Sequence, residues 1–292
     1  IMPKIYLAKV NLNSNIFSVY SDQVDIKVVL KEVYNKINIE EKYIISKQGV
    51  YSDASGNRKT YRKKSEYSFA EIRKKDMIVT GMLLRKFTKP NEEVNTYTDK
   101  VETIIKEESV GIRFYFDVNK EMVTFCERQC FGYNQFTNAF NELLNRCVKG
   151  YEFETFLQKD KNKLEEKIRE LHKITRVRAV LIPPNPNAKS ISTIKERCMS
   201  TNSTKLTCVF ESDDMKMDSE EMLEIRDYVA AGYGDLTASG LNENGREQRV
   251  SSSLDAAYCE DIADNLDEDG FNEEAKKTII NFEQRCKSRK NV

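Results

Sequence analysis

The sequence has little histidine, which is the residue that many enzyme mechanisms need most. The chain contains one histidine, His172, in 292 residues. Histidine is the commonest general base near neutral pH, and the Ser-His-Asp and Cys-His mechanisms both depend on it. We expect His172 to be an exposed residue near the end of a charged helix over residues 161–171. These two nucleophilic mechanisms are therefore not expected.

Long apolar runs are also missing, and no export signal is expected. No stretch of the chain approaches the ~18 apolar residues that a membrane-spanning helix requires, so no membrane partner is expected. The N-terminal segment is too short and too polar in its continuation to be a signal peptide. The seven cysteines form an odd, scattered set, which favours reduced thiols in a cytoplasmic protein.

The common motifs for cofactors and metals are absent. The sequence has no GxxxxGK[ST] phosphate loop, no GxGxxG turn and no HExxH pair. The segment that begins at Asn265 resembles the front of a calcium loop, but Lys276 stands where that loop needs a glutamate. Cys126 and Cys130 lack the second close pair that zinc usually requires. The sequence therefore predicts no cofactor and no metal site.

What the chain does have is a charge split hidden under a formal net charge of zero. Residues 56–89 contain eleven Lys/Arg and three acids, so 11 − 3 gives +8. Residues 211–274 contain four Lys/Arg and twenty acids, so 4 − 20 gives −16. Such asymmetry indicates nucleic acid or another charged partner.

The apolar pattern predicts an α+β fold of mostly antiparallel sheets, built from hairpins and a meander with packing helices, in two sub-domains. Strands follow one another as hairpins instead of alternating with helices. Turns are expected at 53–57 and 242–245, and Asn134 and Asn272 are expected to cap helices. Predicted strands cover residues 2–10, 43–51, 59–69, 77–87, 110–117, 121–126, 174–182, 206–210, 235–241 and 246–252; predicted helices cover 22–37, 135–148, 161–171, 219–231 and 272–286.

A proline-rich segment suggests a domain boundary. Three of the five prolines lie in residues 183–187, and such a segment ends a strand and stiffens a loop. We expect the break near 183–189. It would separate an N-terminal α+β domain with a basic β-hairpin, residues 1–182, from an acidic helix–hairpin–helix region, residues 190–292. Residues 287–292 would form a basic tail.

The basic hairpin is the candidate binding site. Tyr61, Tyr67 and Phe69 share one face of the predicted strand over 59–69, with basic residues around them. A solvated sheet face would explain this pattern, and so would a surface that tracks phosphates, because phosphate neutralisation needs clustered Lys/Arg. Such contacts position a protein without reading base sequence. The predicted phosphate contacts are Arg58, Lys59, Arg62, Lys63, Lys64, Arg73, Lys74, Lys75, Arg85 and Lys86.

Five segments carry a family resemblance and cover about a quarter of the chain: the strand over 2–10, GIRFYFDVNKEMVTF, FGYNQFTNAFNELL, VRAVLIPPNPN and AGYGDLTASGLNENGREQRVSS. Together they resemble a poorly characterised group of prokaryotic proteins found with phage-defence systems. The resemblance implies a cytoplasmic bacterial protein with a role in defence and in nucleic-acid binding. It transfers no active-site residue.

The sequence thus favours a non-enzymatic, nucleic-acid-binding component of a bacterial anti-phage defence system, with DNA or RNA as the ligand. One alternative is a protein–protein assembly module, in which the acidic C-terminal region docks a basic partner or the basic hairpin of a second copy. Another is a metal-dependent nuclease, with carboxylates such as Asp213 and Asp214, or Asp117 and Glu121, around a cation.

Overall fold

The computed structural model describes residues 3–53, 55–186, 193–213 and 215–288. The strands are β1 (Lys4–Leu12), β2 (Lys42–Ser52), β3 (Arg58–Lys75), β4 (Ile78–Asn95), β5 (Lys100–Asp117), β6 (Met122–Cys126), β7 (Phe153–Leu157), β8 (Lys173–Leu181), β9 (Leu206–Glu211), β10 (Gly234–Leu241), β11 (Glu247–Ser251) and β12 (Cys259–Asp261). The helices are α1 (Ile16–Tyr20), α2 (Ile26–Lys36), α3 (Tyr133–Cys147), α4 (Lys161–Arg169), α5 (Thr193–Thr201), α6 (Glu220–Ala230), α7 (Ser252–Asp255) and α8 (Glu268–Ser288).

The larger sheet has eight strands and curls into a half barrel. Its strand order is β12-β1-β6-β5-β4-β3-β2, and β7 also pairs with β1. Each pairing in this sheet is antiparallel. The predicted α+β fold with mostly antiparallel sheets is therefore confirmed.

Helix α3 covers one face of this sheet, which we call the inner face. Its apolar residues recur at helical spacing, so they form one stripe, and Phe136 and Phe140 in that stripe are fully buried. The ring of Phe140 lies edge-on to the rings of Phe69, Phe114 and Phe116, with centroids 5.4–5.5 Å apart. This aromatic cluster fixes α3 on the sheet.

Helix α8 covers the opposite, outer face of the sheet. Its buried residues Phe271, Ala275, Ile279 and Phe282 recur every three or four positions and pack in one cluster with Ile5, Leu7 and Tyr115. At 21 residues α8 is the longest helix that the structure describes. Neither α8 nor any other described helix is both long and apolar enough to cross a membrane.

The smaller sheet has the strand order β11-β10-β8-β9. Buried residues of α4, α5 and α6 pack in one cluster with Val177, Ala179 and Leu236 of this sheet. The predicted Asn-Gly hairpin is confirmed between β10 and β11. The Asn242 N–H donates to the Arg246 carbonyl at 2.9 Å, and Gly245 adopts a positive φ of 69° that glycine accepts without strain.

The proline-rich segment joins the two sheets instead of standing apart from them. β8 precedes residue 182, yet it pairs with β9 and β10, which follow it, so the sheets do not divide at that residue. Residues 183–185 are buried, and the Asn185 side chain accepts from the Leu12 N–H at 3.1 Å and donates to the Val10 carbonyl at 3.3 Å. The separation of two domains at 182 stays a prediction. Positions 187–189 of the expected boundary and 289–292 of the expected tail lie outside the described residues.

The start of α3 differs from the prediction. The N-cap is Gly132 and not Asn134, which is the second residue of the helix. The Gly132 carbonyl accepts hydrogen bonds from Gln135 and Phe136. Its extended backbone, with φ −79° and ψ 170°, allows the chain to turn into the helix there.

The last helix also begins earlier than predicted. α8 begins at Glu268, four residues before the expected cap Asn272. The Asp267 side chain accepts from the Gly270 N–H at 2.8 Å and so satisfies one of the free donors at the start of a helix. The short calcium-like segment therefore ends inside the helix.

Strands β4 and β5 are much longer than the predicted spans 77–87 and 110–117. Beyond Phe87, the last β4 residue paired with β3, β4 runs on to Asn95 and pairs only with β5. Pro90 lies in this extension. Proline is tolerated in an edge strand, since no neighbour needs its missing N–H. Because a proline argues against a strand in the sequence alone, the extension was not predicted.

Candidate nucleic-acid interface

Two hairpins of opposite charge extend from the larger sheet beyond the last β3–β4 pair, Ser65 with Phe87. The first, which we call the basic arm, comprises residues 46–52 of β2 and 58–64 of β3. Residues 46–64 contain six Lys/Arg and one acid, so 6 − 1 gives +5. The second, the acidic arm, comprises residues 88–95 of β4 and 100–107 of β5. Residues 88–107 contain three lysines and five acids, so 3 − 5 gives −2.

The predicted phosphate contacts do not form one surface. Successive side chains of a strand point to opposite faces of the sheet, and a register shift between Ala70 and Arg73 resets this alternation. The pairing therefore assigns Lys59, Lys63, Lys74 and Arg85 to the inner face and Arg58, Arg62, Lys64, Arg73, Lys75 and Lys86 to the outer face.

Some of these cations already have acidic partners. Lys59 pairs with Asp53 at 2.9 Å, and Arg73 pairs with Glu268 of α8 at 2.6 Å. Glu66 accepts from Lys42 at 2.8 Å and from Lys64 at 3.0 Å. Hydrogen bonds from these two lysines lower the pKa of Glu66 to about 2. The charges of Lys59, Lys64 and Arg73 are thus partly offset within the chain.

The Lys74 side chain contacts helix α2. Its Nζ donates to the Asn35 carbonyl at 2.8 Å and lies 5.9 Å from the centroid of the Tyr34 ring. Burial lowers the pKa of Lys74 from its ordinary value. Its contacts make Lys74 a packing residue of the inner face.

The remaining predicted contacts are exposed. Arg58, Arg62, Lys63, Lys75 and Lys86 have no acidic partner within ion-pair distance among the residues described. The first three lie on the basic arm.

Lys47 is a further cation of the basic arm that the sequence prediction missed. It lies on β2 directly opposite Lys63 and is likewise exposed. The predicted turn over 53–57 could have identified Lys47. A hairpin centred on residue 55 places position 47 opposite position 63.

A groove of about 320 Å³ lies between the inner face of the arm's base and the first turns of α3. The rings of Tyr43 and Tyr67 stack in it, with centroids 5.8 Å apart and planes 26° from parallel. The other lining residues that bear on its chemistry are Lys47, Lys63, Arg85, Asn134, Gln135 and Asn138. The sequence did not identify Tyr43, or the amides of α3, as site residues, because only the fold brings α3 next to β2.

Arg85 is the buried cation of this groove, with 6% of its surface exposed. Its Nη1 donates to the Cys130 carbonyl and to Gln135 Oε1 at 3.2 Å. Its Nη2 donates to Ser65 Oγ at 3.2 Å, and Nε has no hydrogen-bond partner. The guanidinium also lies over the Phe87 ring, 4.4 Å from its centroid. Arg85 is therefore held rigidly and is not an exposed phosphate contact of the kind predicted.

Asp117 and Glu121, two of the carboxylates suggested for a metal site, already have other partners. Asp117 accepts from the Lys120 N–H at 3.0 Å, and burial raises its pKa. Glu121 pairs with Lys9 at 3.1 Å in the interior. Asp213 is exposed and Asp214 lies outside the described residues. Throughout the described ranges, no group of three or more His, Cys, Asp or Glu side chains is placed to hold a metal ion.

His172 and Cys126 are poorly placed for nucleophilic chemistry. His172 is exposed three residues beyond the end of α4. Burial raises the pKa of the Cys126 thiol to about 12, so this thiol is protonated at neutral pH and is a weak nucleophile.

Comparison with known proteins places the chain in a family. The model of a domain of unknown function, DUF4747, matches residues 50–276. The match includes most of the groove residues, while Tyr43 and Lys47 lie just before it. No curated protein matches the chain. Because the family model covers well over half of the sequence, the chain belongs to the DUF4747 family.

Proposed function

We propose that this protein binds nucleic acid through phosphate contacts made by the basic arm. The observation that supports this function best is the set of exposed arm cations without acidic partners in the described part of the chain: Arg58, Arg62, Lys63 and Lys47. A charge of +5 over 19 residues on a two-stranded arm gives a polyanion a concentrated site.

The spacing of the arm suits consecutive phosphate contacts. Arg58 and Arg62 lie four residues apart on the outer face, which corresponds to roughly 13 Å along a strand. They would therefore meet different phosphates of one backbone. Contacts of this kind do not read base sequence, so we propose binding without sequence preference. A non-enzymatic role stays a prediction. A part in bacterial anti-phage defence rests on the sequence resemblance alone, and a cytoplasmic location rests on that resemblance and on the scattered cysteines; both stay predictions.

Salt dependence tests this function. Fluorescence anisotropy would measure the affinity of the purified protein for single-stranded and duplex oligonucleotides at several salt concentrations. If each of these four cations meets one phosphate of a single strand, the affinity should fall roughly fiftyfold from ~50 to ~200 mM salt. The double variant Arg58→Gln/Arg62→Gln should bind more weakly and lower the salt slope by about 1.4 on a single strand.

The matched control removes two exposed lysines from helix α2. Lys27→Gln/Lys31→Gln changes the net charge equally but leaves the basic arm intact. We expect it to bind nearly as tightly as the unaltered protein. An affinity that is independent of salt, or an equal loss in both double variants, would contradict binding by the arm.

A second candidate function is self-association through the acidic arm. Val94 and Val101 pair across this arm and are 61% and 48% exposed, and Tyr97 at its tip is 97% exposed. Such an apolar strip beside acids is suited to a basic partner such as the basic arm of a second copy. Sedimentation velocity at low and moderate salt would test it. A monomer under all conditions would exclude this candidate.

A further inference from the structure

The groove beside α3 collects positive charge that no acid of the described chain offsets. Lys47 and Lys63 lie directly opposite each other on neighbouring strands, and like charges in that position repel each other and destabilise the sheet. Both side chains line the groove. An anion between them would turn this repulsion into two favourable contacts.

Arg85 adds a buried positive charge to the same groove. It is 94% buried, lacks a carboxylate partner in the described ranges, and its Nε has no hydrogen-bond acceptor. A buried charge is costly unless an opposite charge or a full set of hydrogen bonds compensates it. Nη1 and Nη2 are hydrogen-bonded to neutral groups, so the net charge of Arg85 stays uncompensated by any acid in the described ranges. This charge in the groove wall is the second, independent sign of an anionic ligand.

The N-terminus of α3 also favours an anion in the groove. Its N-cap residue Gly132 has no side chain to cap the helix, and its first turn contains no acid. The N-terminus of a helix carries a partial positive charge of roughly half a unit, which favours anions nearby. Asn134 and Asn138 of this end line the groove, four residues apart and so on one face of the helix.

The groove also offers what a nucleobase needs. The half-buried ring of Tyr43 lines the groove. It stacks on Tyr67 and its centroid lies 5.5 Å from the Arg146 guanidinium, so a base would share the ring with these two groups. Such rings stack on bases of any sequence. The amides of Asn134 and Asn138 can donate to and accept from the edge of a base. The volume of about 320 Å³ is at the lower end for small-ligand sites, so one nucleotide fits better than several.

We infer that this groove seats one nucleotide unit of a single strand, with its phosphate between Lys47 and Lys63, beside the buried charge of Arg85, and its base against Tyr43. The inference rests on the proposed function and names its substrate class as single-stranded nucleic acid. A duplex keeps its bases stacked in the helix and cannot offer one to Tyr43. The outer-face cations Arg58 and Arg62 would hold the strand on the opposite side of the arm.

The test compares groove variants with arm variants on three probes: a short single-stranded oligonucleotide, its duplex, and adenosine and uridine 5′-monophosphates. Anisotropy would follow the oligonucleotides and calorimetry the mononucleotides. We expect the unaltered protein to prefer the single strand. Tyr43→Leu should weaken single-strand binding on the order of tenfold by loss of stacking and leave duplex binding unchanged. Lys47→Gln/Lys63→Gln should weaken single-strand binding and abolish mononucleotide binding.

One control and one further groove variant keep these outcomes distinct. Tyr97→Leu removes an exposed tyrosine at the tip of the acidic arm and should bind every probe normally. Asn134→Ala/Asn138→Ala changes only exposed helix positions, so it keeps the fold and should weaken the single strand and the mononucleotides together. Thermal unfolding of each variant would confirm that the fold is retained.

The results separate this inference from the proposed function. If Arg58→Gln/Arg62→Gln weakens binding while Tyr43→Leu and Asn134→Ala/Asn138→Ala bind every probe normally, the groove inference is wrong and the arm function stands. If no oligonucleotide binds but mononucleotides do, the proposed function is wrong and the groove is a site for free nucleotides. Equal affinity for single strand and duplex would also overturn the inference.

Discussion

Arg73 of β3 and Glu268 of α8 form an ion pair of 2.6 Å that links the basic and the acidic segments of this chain. Lys120 and Glu283 form a second pair, of 2.7 Å, between the larger sheet and the same helix. The two charged segments thus partly offset each other inside one molecule. Five cations of the basic segment are exposed without an acidic partner in the described ranges, and three of them, Arg58, Arg62 and Lys63, lie on the basic arm.

The Arg73 pair leads to a prediction about binding. Arg73→Gln should leave oligonucleotide affinity nearly unchanged, because the guanidinium is already engaged by Glu268. Arg62→Gln, which removes an exposed arm charge, should lower both the affinity and the salt slope, the latter by about 0.7 on a single strand. Anisotropy titrations of the two variants side by side would measure this. Equal losses would show that Arg73 contacts the nucleic acid.

The aromatic cluster under α3 leads to a prediction about stability. Phe140→Ala should lower the free energy of unfolding by about 3–5 kcal/mol, since it leaves a cavity among Phe69, Phe114 and Phe116. Urea unfolding followed by circular dichroism would measure the change. Tyr97→Ala, at an exposed site, should alter it by no more than about 0.5 kcal/mol. Similar values for both would mean that α3 does not pack as described.

The depressed pKa of Glu66 leads to a prediction about acid. Hydrogen bonds from Lys42 and Lys64 lower this pKa from 4.5 to about 2, so Glu66 stabilises the fold above pH 4.5 and loses this effect as the pH falls toward 2. The unfolding free energy of the unaltered protein should exceed that of Glu66→Gln at neutral pH. The difference should narrow below pH 4.5.

Urea titrations across this pH range would measure the narrowing. Glu107→Gln provides the control, because Glu107 is exposed on β5, and its difference from the unaltered protein should stay small at every pH. A gap between the unaltered protein and Glu66→Gln that is constant with pH would show that the two lysines do not hold Glu66 ionised.

The position of β8 leads to a prediction about folding units. A fragment of residues 1–182 keeps β8 but removes β9 and β10, its partners on both sides. Val177 and Ala179, which are fully buried in the whole chain, would then be exposed. Hydrogen exchange should show protected β8 amides in the full chain and rapid exchange in the fragment. Full protection in the fragment would support a domain boundary at 182.

The sequence predicted those features that depend on local pattern. The stripe of α3, the turn at 53–57 and the Asn-Gly hairpin follow from side-chain spacing and turn chemistry, and each lies close to its predicted place. Helix ends were less predictable. Helix α3 starts after Gly132 because of the backbone geometry of that residue, and α8 starts after Asp267, whose side chain accepts one hydrogen bond. The spacing of apolar residues reveals neither feature.

The candidate site was only partly predictable. A run of basic residues indicated the basic arm, but alternation along β3 divides that run between two faces, and α8 and α2 engage Arg73 and Lys74. The groove could not be foreseen, because it requires β2, β4 and α3 to meet. Their sequence separation leaves no local signal for Arg85 and Asn138 lying along one wall.

Hydrogen exchange with a bound single-stranded oligonucleotide tests the central claim most directly, because it locates the ligand without any substitution. Protection should increase in residues 46–52 and 58–64 of the basic arm and in the first turn of α3, and should stay unchanged in the acidic arm and in α8. Protection that is absent from the basic arm, or that is concentrated on α6 and α8, would contradict nucleic-acid binding by this arm.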